Sequence, residues 1–300
     1  MALPKQVTIT EVSPRDGLQN EKTIVSTETK IQFIALLTQA GFSSIETTAF
    51  VNPKKIPALA DHSAVMQACH SHAQTTYSAL IPNTQGLHSA IKSNCQSIAV
   101  ITAISETFSQ KNMNCSIDES LNRISDILNI TQKNKISVRA YISCTLGCPY
   151  EGFISVKKTA QIAKKLTEMG CDTIVLADTI GTGTPQLAQA LIKATLHDTP
   201  LAKLAIHFHD TYGQALANIY ACLELGIHKI DSSVGGLGGC PYAKGASVNV
   251  ATEDVLYLLN GLQIHTGIDL QAAIKASEFI HTQLSRETQS KVAKALKAKT

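Results

Sequence analysis

Short runs rich in Ile, Val, Thr and Ala alternate along the chain with longer stretches whose apolar positions recur at helical spacing. The runs fall at Val7–Ser13, Ser44–Phe50, Thr75–Ile81, Ser97–Ile104, Ser137–Cys144, Thr173–Thr179, Leu204–Asp210 and Lys229–Val234. Each has the length and β-branched content of a strand, and several are bounded by Gly, Pro or Asn. Between them, Thr29–Gln39 carries Ile31, Ile34, Ala35 and Leu37 before Gly41. Val156–Met169 carries Ile162, Ala163 and Leu166 before Gly170, and Gly213–Leu225 stops at Gly226. A helix ended by glycine and followed at once by a strand is the return connection of a parallel sheet. Eight such units, about 30 residues apart, predict an α/β fold of the (β/α)8 type, a TIM barrel. An open doubly wound sheet would place a glycine-rich fingerprint after the first strand, and none is there. Asp269–Thr300 reads as one or two helices packed outside. With no linker-like break, residues 1–300 are expected to form a single catalytic barrel domain, with 269–300 as appended C-terminal helices.

Composition narrows the class. A chain of 300 residues, 44% hydrophobic and 16% charged, can bury a large core. The net charge of +3, with Lys and Arg dispersed, argues against a nucleic-acid partner. No apolar run approaches the roughly 18 residues of a membrane span. The opening MALPKQVTIT has neither a signal-peptide layout nor an Arg-rich transit pattern, so a cytoplasmic location without membrane attachment is expected. In that setting the eight cysteines are expected to be mostly buried free thiols, and the Cys144/Cys148 pair lacks a second pair to complete a zinc site.

A barrel concentrates chemistry where its strands end, and three unusual segments fall there. Ser13-Pro14-Arg15-Asp16-Gly17-Leu18-Gln19-Asn20 follows strand one. Its Arg-Asp pair can offer a carboxylate to a metal and a guanidinium to developing negative charge; alone, such a pair is more often a surface turn. Strand seven ends in Ala205-Ile206-His207-Phe208-His209-Asp210. Strand side chains alternate, so His207 and His209 share the inward face while Leu204, Ile206 and Phe208 face the helices. The bland alternative is a pair of satisfied buried histidines. After strand eight, the run from Gly235 to Asn249 carries five glycines before Ala246, with Cys240 in its middle. It lacks P-loop spacing and reads as a shaped lid with a thiol. Asp16, His207, His209 and Asn249 then come from strands one, seven and eight, neighbours once the barrel closes. Such an O,O,N,N set suits Mg2+ or Mn2+, with Zn2+ or Co2+ also compatible.

The segments SPRDGLQNEK, IETTAF, SCTLGCPYEG, ADTIGTGTP, HFHDTYGQALAN and GGLGGCPYAKGAS, with the following Asn249 and ATED, resemble the hydroxymethylglutaryl-CoA lyases, a family of the DRE-TIM metallolyase group. The likeness runs from Val7 to about Val292. The Arg-Asp and His-x-His elements are shared with the Claisen-type synthases of that group, whereas the Gly-Cys-Pro-Tyr loop is far more specific to the lyases. What the resemblance implies is retro-Claisen cleavage of 3-hydroxy-3-methylglutaryl-CoA to acetyl-CoA and acetoacetate, as in leucine catabolism and ketone-body formation, by a homodimer. It implies a divalent cation on Asp16, His207, His209 and Asn249. Arg15 would face the thioester carbonyl, Cys240 would be the catalytic thiol, and Glu46, Asp178 and Glu253 would be supporting carboxylates. Asp16 is the first choice for the base and Cys240 for the acid that protonates the acetyl carbanion. Two positions depart from the family pattern: Ala49 for serine, and Val248 for glycine before Asn249, where a β-branched residue should stiffen the lid hinge. The alternatives are a condensing synthase of the same group, expected to carry a different strand-eight loop and a regulatory domain, and a non-catalytic acyl-CoA-binding barrel.

Overall fold

The computed structural model describes residues 3–69, 74–239 and 248–299. Eight parallel strands close on themselves in chain order: β1 (Thr8–Glu11), β2 (Ser44–Ala49), β3 (Thr76–Leu80), β4 (Ser97–Ala103), β5 (Ser137–Ser143), β6 (Thr173–Asp178), β7 (Leu204–Phe208) and β8 (Lys229–Ser232). The closing seam pairs Thr10 of β1 with Asp231 of β8. Every predicted run contains one strand, so the α/β barrel expectation holds. Helices cover the outside: α1 (Thr27–Gln39), α2 (His62–Ala68), α3 (Thr84–Lys92), α4 (Glu106–Met113), α5 (Ile117–Asn134), α6 (Val156–Glu168), α7 (Pro185–Thr195), α8 (Ala215–Leu223) and α9 (Thr252–Gly261). Two more, α10 (Leu270–Gln283) and α11 (Lys291–Lys297), pack against α1 and α9 respectively. Among the described residues, no helix is long and apolar enough to cross a membrane.

Local chemistry sets these boundaries. Gly41, Gly170 and Gly226 have φ of 97°, 105° and 89°, the left-handed turn that stops α1, α6 and α8 before β2, β6 and β8. Helix α5 starts in a capping box, with Glu119 N donating to Ser116 Oγ and Ser116 N to Glu119 Oε2.

The apolar core divides into an outer and an inner part. Leu204, Ile206 and Phe208 belong to the large outer cluster between strands and helices. Inside the barrel the apolar cluster is small, made of Ala49, Leu80, Ala99, Val175, Ala205 and Tyr141 with Leu59. The rest of the interior is polar and charged, and Glu46, His207, Asp231 and Tyr141 are all buried there. Buried charge is tolerated only when it is paired and hydrogen-bonded, and the interior meets that demand with a continuous network. The seven cysteines among the described residues are free and buried, as expected.

Candidate active site at the barrel mouth

Strand β1 ends two residues earlier than its apolar run, because the backbone turns sharply after Glu11. The carbonyl of Val12 accepts from the N–H groups of Arg15, Asp16 and Gly17 at 3.2, 2.8 and 3.2 Å. This wide π-type turn over Ser13–Gly17 swings Arg15 and Asp16 across the barrel mouth. There Arg15 ion-pairs through Nε with Glu46 and through Nη1 with Asp16 Oδ1 at 2.6 Å. Strand β2 carries an extra residue between Glu46 and Thr48 in its pairing with β3, a bulge that lies beside the carboxylate meeting Arg15.

His207 lies within β7 and His209 one residue past its end, where His209 bridges to Asn249. One ligand atom each from Asp16, His207 and His209 lies within 4.8 Å of the others. The two imidazoles are oriented from behind. His209 Nδ1 lies 3.0 Å from the Asp178 carbonyl oxygen, and His207 Nδ1 lies 3.4 Å from Asp231 Oδ2. An oxygen acceptor behind each Nδ1 would hold a proton there and leave Nε2 for a ligand, the arrangement found behind metal-binding histidines. Asn249 donates from Nδ2 to Asp16 Oδ2 at 2.7 Å and to the Leu237 carbonyl at 3.0 Å, so Oδ1 is the ligand atom it can offer. These donors therefore fit a hard or borderline divalent cation. The Asp16 side chain keeps 21% of its surface exposed, which makes it the open side of the cluster.

Electrostatics agree with that fit. Burial works against charge on Asp16, yet Arg15 and the two histidines hold its carboxyl down at about 2. Burial, with His207 nearby, lowers His209 to about 4, so its imidazole is neutral at ordinary pH. Burial opposes the charge on Arg15 too, but Glu46 and Asp16 overcome it and keep the guanidinium protonated.

The remaining expected residues take different places. Asp178 accepts from Thr182 N and Gly183 N at 3.2 and 2.8 Å, bracing the loop after β6, while its carbonyl orients His209. Burial raises its carboxyl to about 6 against those hydrogen bonds. Glu253 is not with the metal-type cluster. Both its oxygens accept from Gly235 N, at 3.0 and 2.8 Å, beneath the turn that leaves β8. Cys240 lies outside the described residues. Val248 gives its carbonyl to Asp210 N at 2.7 Å, and Ala49 is buried inside the barrel.

Sequence reading missed Glu11, Arg139, Tyr141 and Asp231. Glu11 accepts from Ser13 N, Val234 N and Thr252 Oγ1, tying β1 to the turn after β8. Arg139, from β5 on the far wall, crosses the interior to Thr10 Oγ1 at 2.7 Å and Asp231 Oδ1 at 2.5 Å. The available signal was an arginine and a tyrosine two apart inside an apolar strand, both on the inward face. Beside this cluster a cavity of about 880 Å3 runs from Arg15 past Asn52, Lys55, Asn83 and Arg123.

The fold and site define a class: a (β/α)8 barrel with a two-histidine, one-carboxylate group at its C-terminal mouth beside a paired arginine. The comparisons take this further. The family model described as HMGL-like matches residues 6–280. The chain is 53% identical to mouse mitochondrial hydroxymethylglutaryl-CoA lyase over 98% of its length and 90% of that protein's. It is 50% identical to the rat cytoplasmic 3-hydroxy-3-methylglutaryl-CoA lyase, over 98% and 85%. The crystal structure of the lyase from Pseudomonas aeruginosa superimposes with a TM-score of 0.98 at 50% identity, covering both chains completely. The lyase from Acinetobacter baumannii, solved with coenzyme A and 3-methylmalate, gives 0.93 at 36% identity over 98% of this chain and 96% of that one. This chain belongs to the hydroxymethylglutaryl-CoA lyase family, and it is a carbon–carbon lyase.

Proposed function

We propose that this protein cleaves 3-hydroxy-3-methylglutaryl-CoA to acetyl-CoA and acetoacetate with a divalent cation, Mg2+ or Mn2+, held by Asp16, His207, His209 and Asn249. The observation that carries the reading is the convergence of Asp16, His207 and His209 within 4.8 Å, immediately beside Arg15. When bound, the ion supplies Lewis acidity to the tertiary hydroxyl of the substrate. The side chains account for the rest. Asp16 serves first as ligand; drawn down to about 2, it takes the hydroxyl proton only as far as the hydroxyl's acidity is raised toward its own. Breaking the C2–C3 bond leaves enolate charge on the acetyl-CoA fragment. The Arg15 guanidinium, fixed by Glu46 and Asp16, stabilises that oxygen, a role typically worth about 3 kcal/mol per donor. We assign Cys240 the final proton transfer to the acetyl carbanion. The cavity beside Arg15 has room and cationic rim residues for a long anionic carrier such as coenzyme A.

Purified protein supplied with Mg2+ or Mn2+ should release acetoacetate from the CoA substrate, and EDTA should stop it. Condensation of an acyl-CoA with a 2-oxo acid, without cleavage, would instead make it a synthase. Tight acyl-CoA binding without turnover would make it a binding barrel. Of the finer readings, the homodimer and the place in leucine breakdown and ketone-body formation rest on the family resemblance, and the cytoplasmic location on the residues that open the chain. They are checked by cell fractionation and by light scattering.

A further inference from the structure

Behind His207 the interior holds a group of residues that neither the ligand set nor the bond-breaking step uses. Asp231, on β8 and 1% exposed, has its two oxygens divided between different partners. Oδ1 accepts from Arg139 Nη2 at 2.5 Å. Oδ2 faces the Tyr141 hydroxyl at 2.9 Å and His207 Nδ1 at 3.4 Å. The Tyr141 ring stands edge-on to the His207 imidazole, with centroids 5.7 Å apart, so the imidazole is confined as well as hydrogen-bonded.

We infer that Asp231 is a positioning residue for the site: clamped by Arg139, it keeps the proton of His207 on Nδ1, so that Nε2 points toward Asp16 and His209 as a free lone pair. The inference rests on the reading of His207 as a metal ligand. The chemistry is that of an acceptor-only group. A carboxylate can only receive a hydrogen bond, so an imidazole nitrogen facing it makes that bond only by carrying the proton. The other ring nitrogen is then the ligand, and a carboxylate behind it also raises its basicity.

The clamp also makes the consequence of removing the charge directional. In Asp231→Asn the amide must orient its oxygen toward Arg139, because a guanidinium offers only donors. The NH2 group then occupies the place of Oδ2 and donates to His207 Nδ1. That reverses the tautomer and puts the proton on Nε2. A carboxylate-to-amide change of this kind disables a histidine by tautomer while leaving its geometry intact.

The test uses 15N-histidine-labelled full-length protein without metal, followed by titration with Mn2+ alone. In the wild type, the His207 resonance should show Nδ1 protonated and Nε2 bare. In Asp231→Asn it should show the reverse, and Mn2+ affinity should fall by about 10- to 100-fold. Tyr141→Phe, which leaves the carboxylate in place, should keep the wild-type tautomer. A wild-type His207 protonated on Nε2 would overturn the inference without recourse to any variant. So would a tautomer reversal that leaves Mn2+ affinity unchanged. A correct wild-type tautomer combined with no Mn2+ binding would overturn the metal reading itself, and the assigned purpose of Asp231 with it.

Discussion

Gly238 lies directly against Asn249. A methyl group on its Cα would stand 2.7 Å from Asn249 Nδ2 and 2.9 Å from the Asp16 carbonyl oxygen, and its φ is +93°. Both facts exclude a side chain, since L-residues avoid that conformation and the neighbours are parts of the ligand group. Gly238→Ala is therefore expected to displace Asn249 or Asp16 and to lower kcat by about 100-fold, the scale of an ångström-level misplacement. Steady-state kinetics with a parallel metal titration check this; wild-type kcat would mean that the strand-eight turn does not set the ligand geometry.

His209 and Cys240 should separate cleanly in metal content. His209 is part of the compact donor group, so His209→Ala should carry much less metal after dialysis than the wild type. Cys240→Ala should lose most of kcat while keeping its metal. Elemental analysis beside activity reads both, and metal loss in the cysteine variant would make the thiol a ligand.

Arg15 meets two carboxylates through two different nitrogens, Nε to Glu46 and Nη1 to Asp16. A lysine is a point charge without that fork and cannot hold both. Arg15→Lys should reduce kcat by about 10²- to 10³-fold, as for removal of one oxyanion donor, with a smaller change in KM. A rise in KM at unchanged kcat would move Arg15 from the enolate to ground-state binding.

Glu253 and Glu11 are both raised to about 7, chiefly by burial. A carboxyl whose folded pKa exceeds its unfolded value holds a proton that the unfolded chain has released. Its contribution to stability is full below about 4.5 and is lost as pH rises toward 7. At Glu253 the loss amounts to as much as about 3 kcal/mol. Glu253→Gln cannot ionise, so the stability difference between variant and wild type should move in the variant's favour from pH 4.5 to pH 7.5. Urea midpoints across that range check it, and a constant difference would show Glu253 ionised throughout.

Much of the architecture was readable because a parallel barrel buries its strands on both faces. The apolar runs thus mark every repeat, and the glycines at 41, 170 and 226 mark three of the helix ends. The donor group was readable because His207 and His209 alternate with outward apolar residues on β7, and a closed barrel brings β1, β7 and β8 together. Arg139, Tyr141 and Asp231 escaped notice for a converse reason. Arg139 and Tyr141 share β5 while Asp231 lies on β8, and their meaning arises only when β5 faces β8 across the interior. Glu253 was recognised, but not its task. Only the folded turn after β8 reveals that it holds the Gly235 N–H rather than the donor cluster.

The ion pairs within the barrel have a consequence for its charge balance. Two guanidinium groups, Arg15 and Arg139, are set against three carboxylates, Asp16, Glu46 and Asp231. These ion pairs thus carry one more negative than positive charge, so the wall that holds the site favours a captured cation. Loading with metal should accordingly raise the melting temperature as well as confer activity, because an ion that binds the folded barrel and not the unfolded chain draws the equilibrium toward the fold.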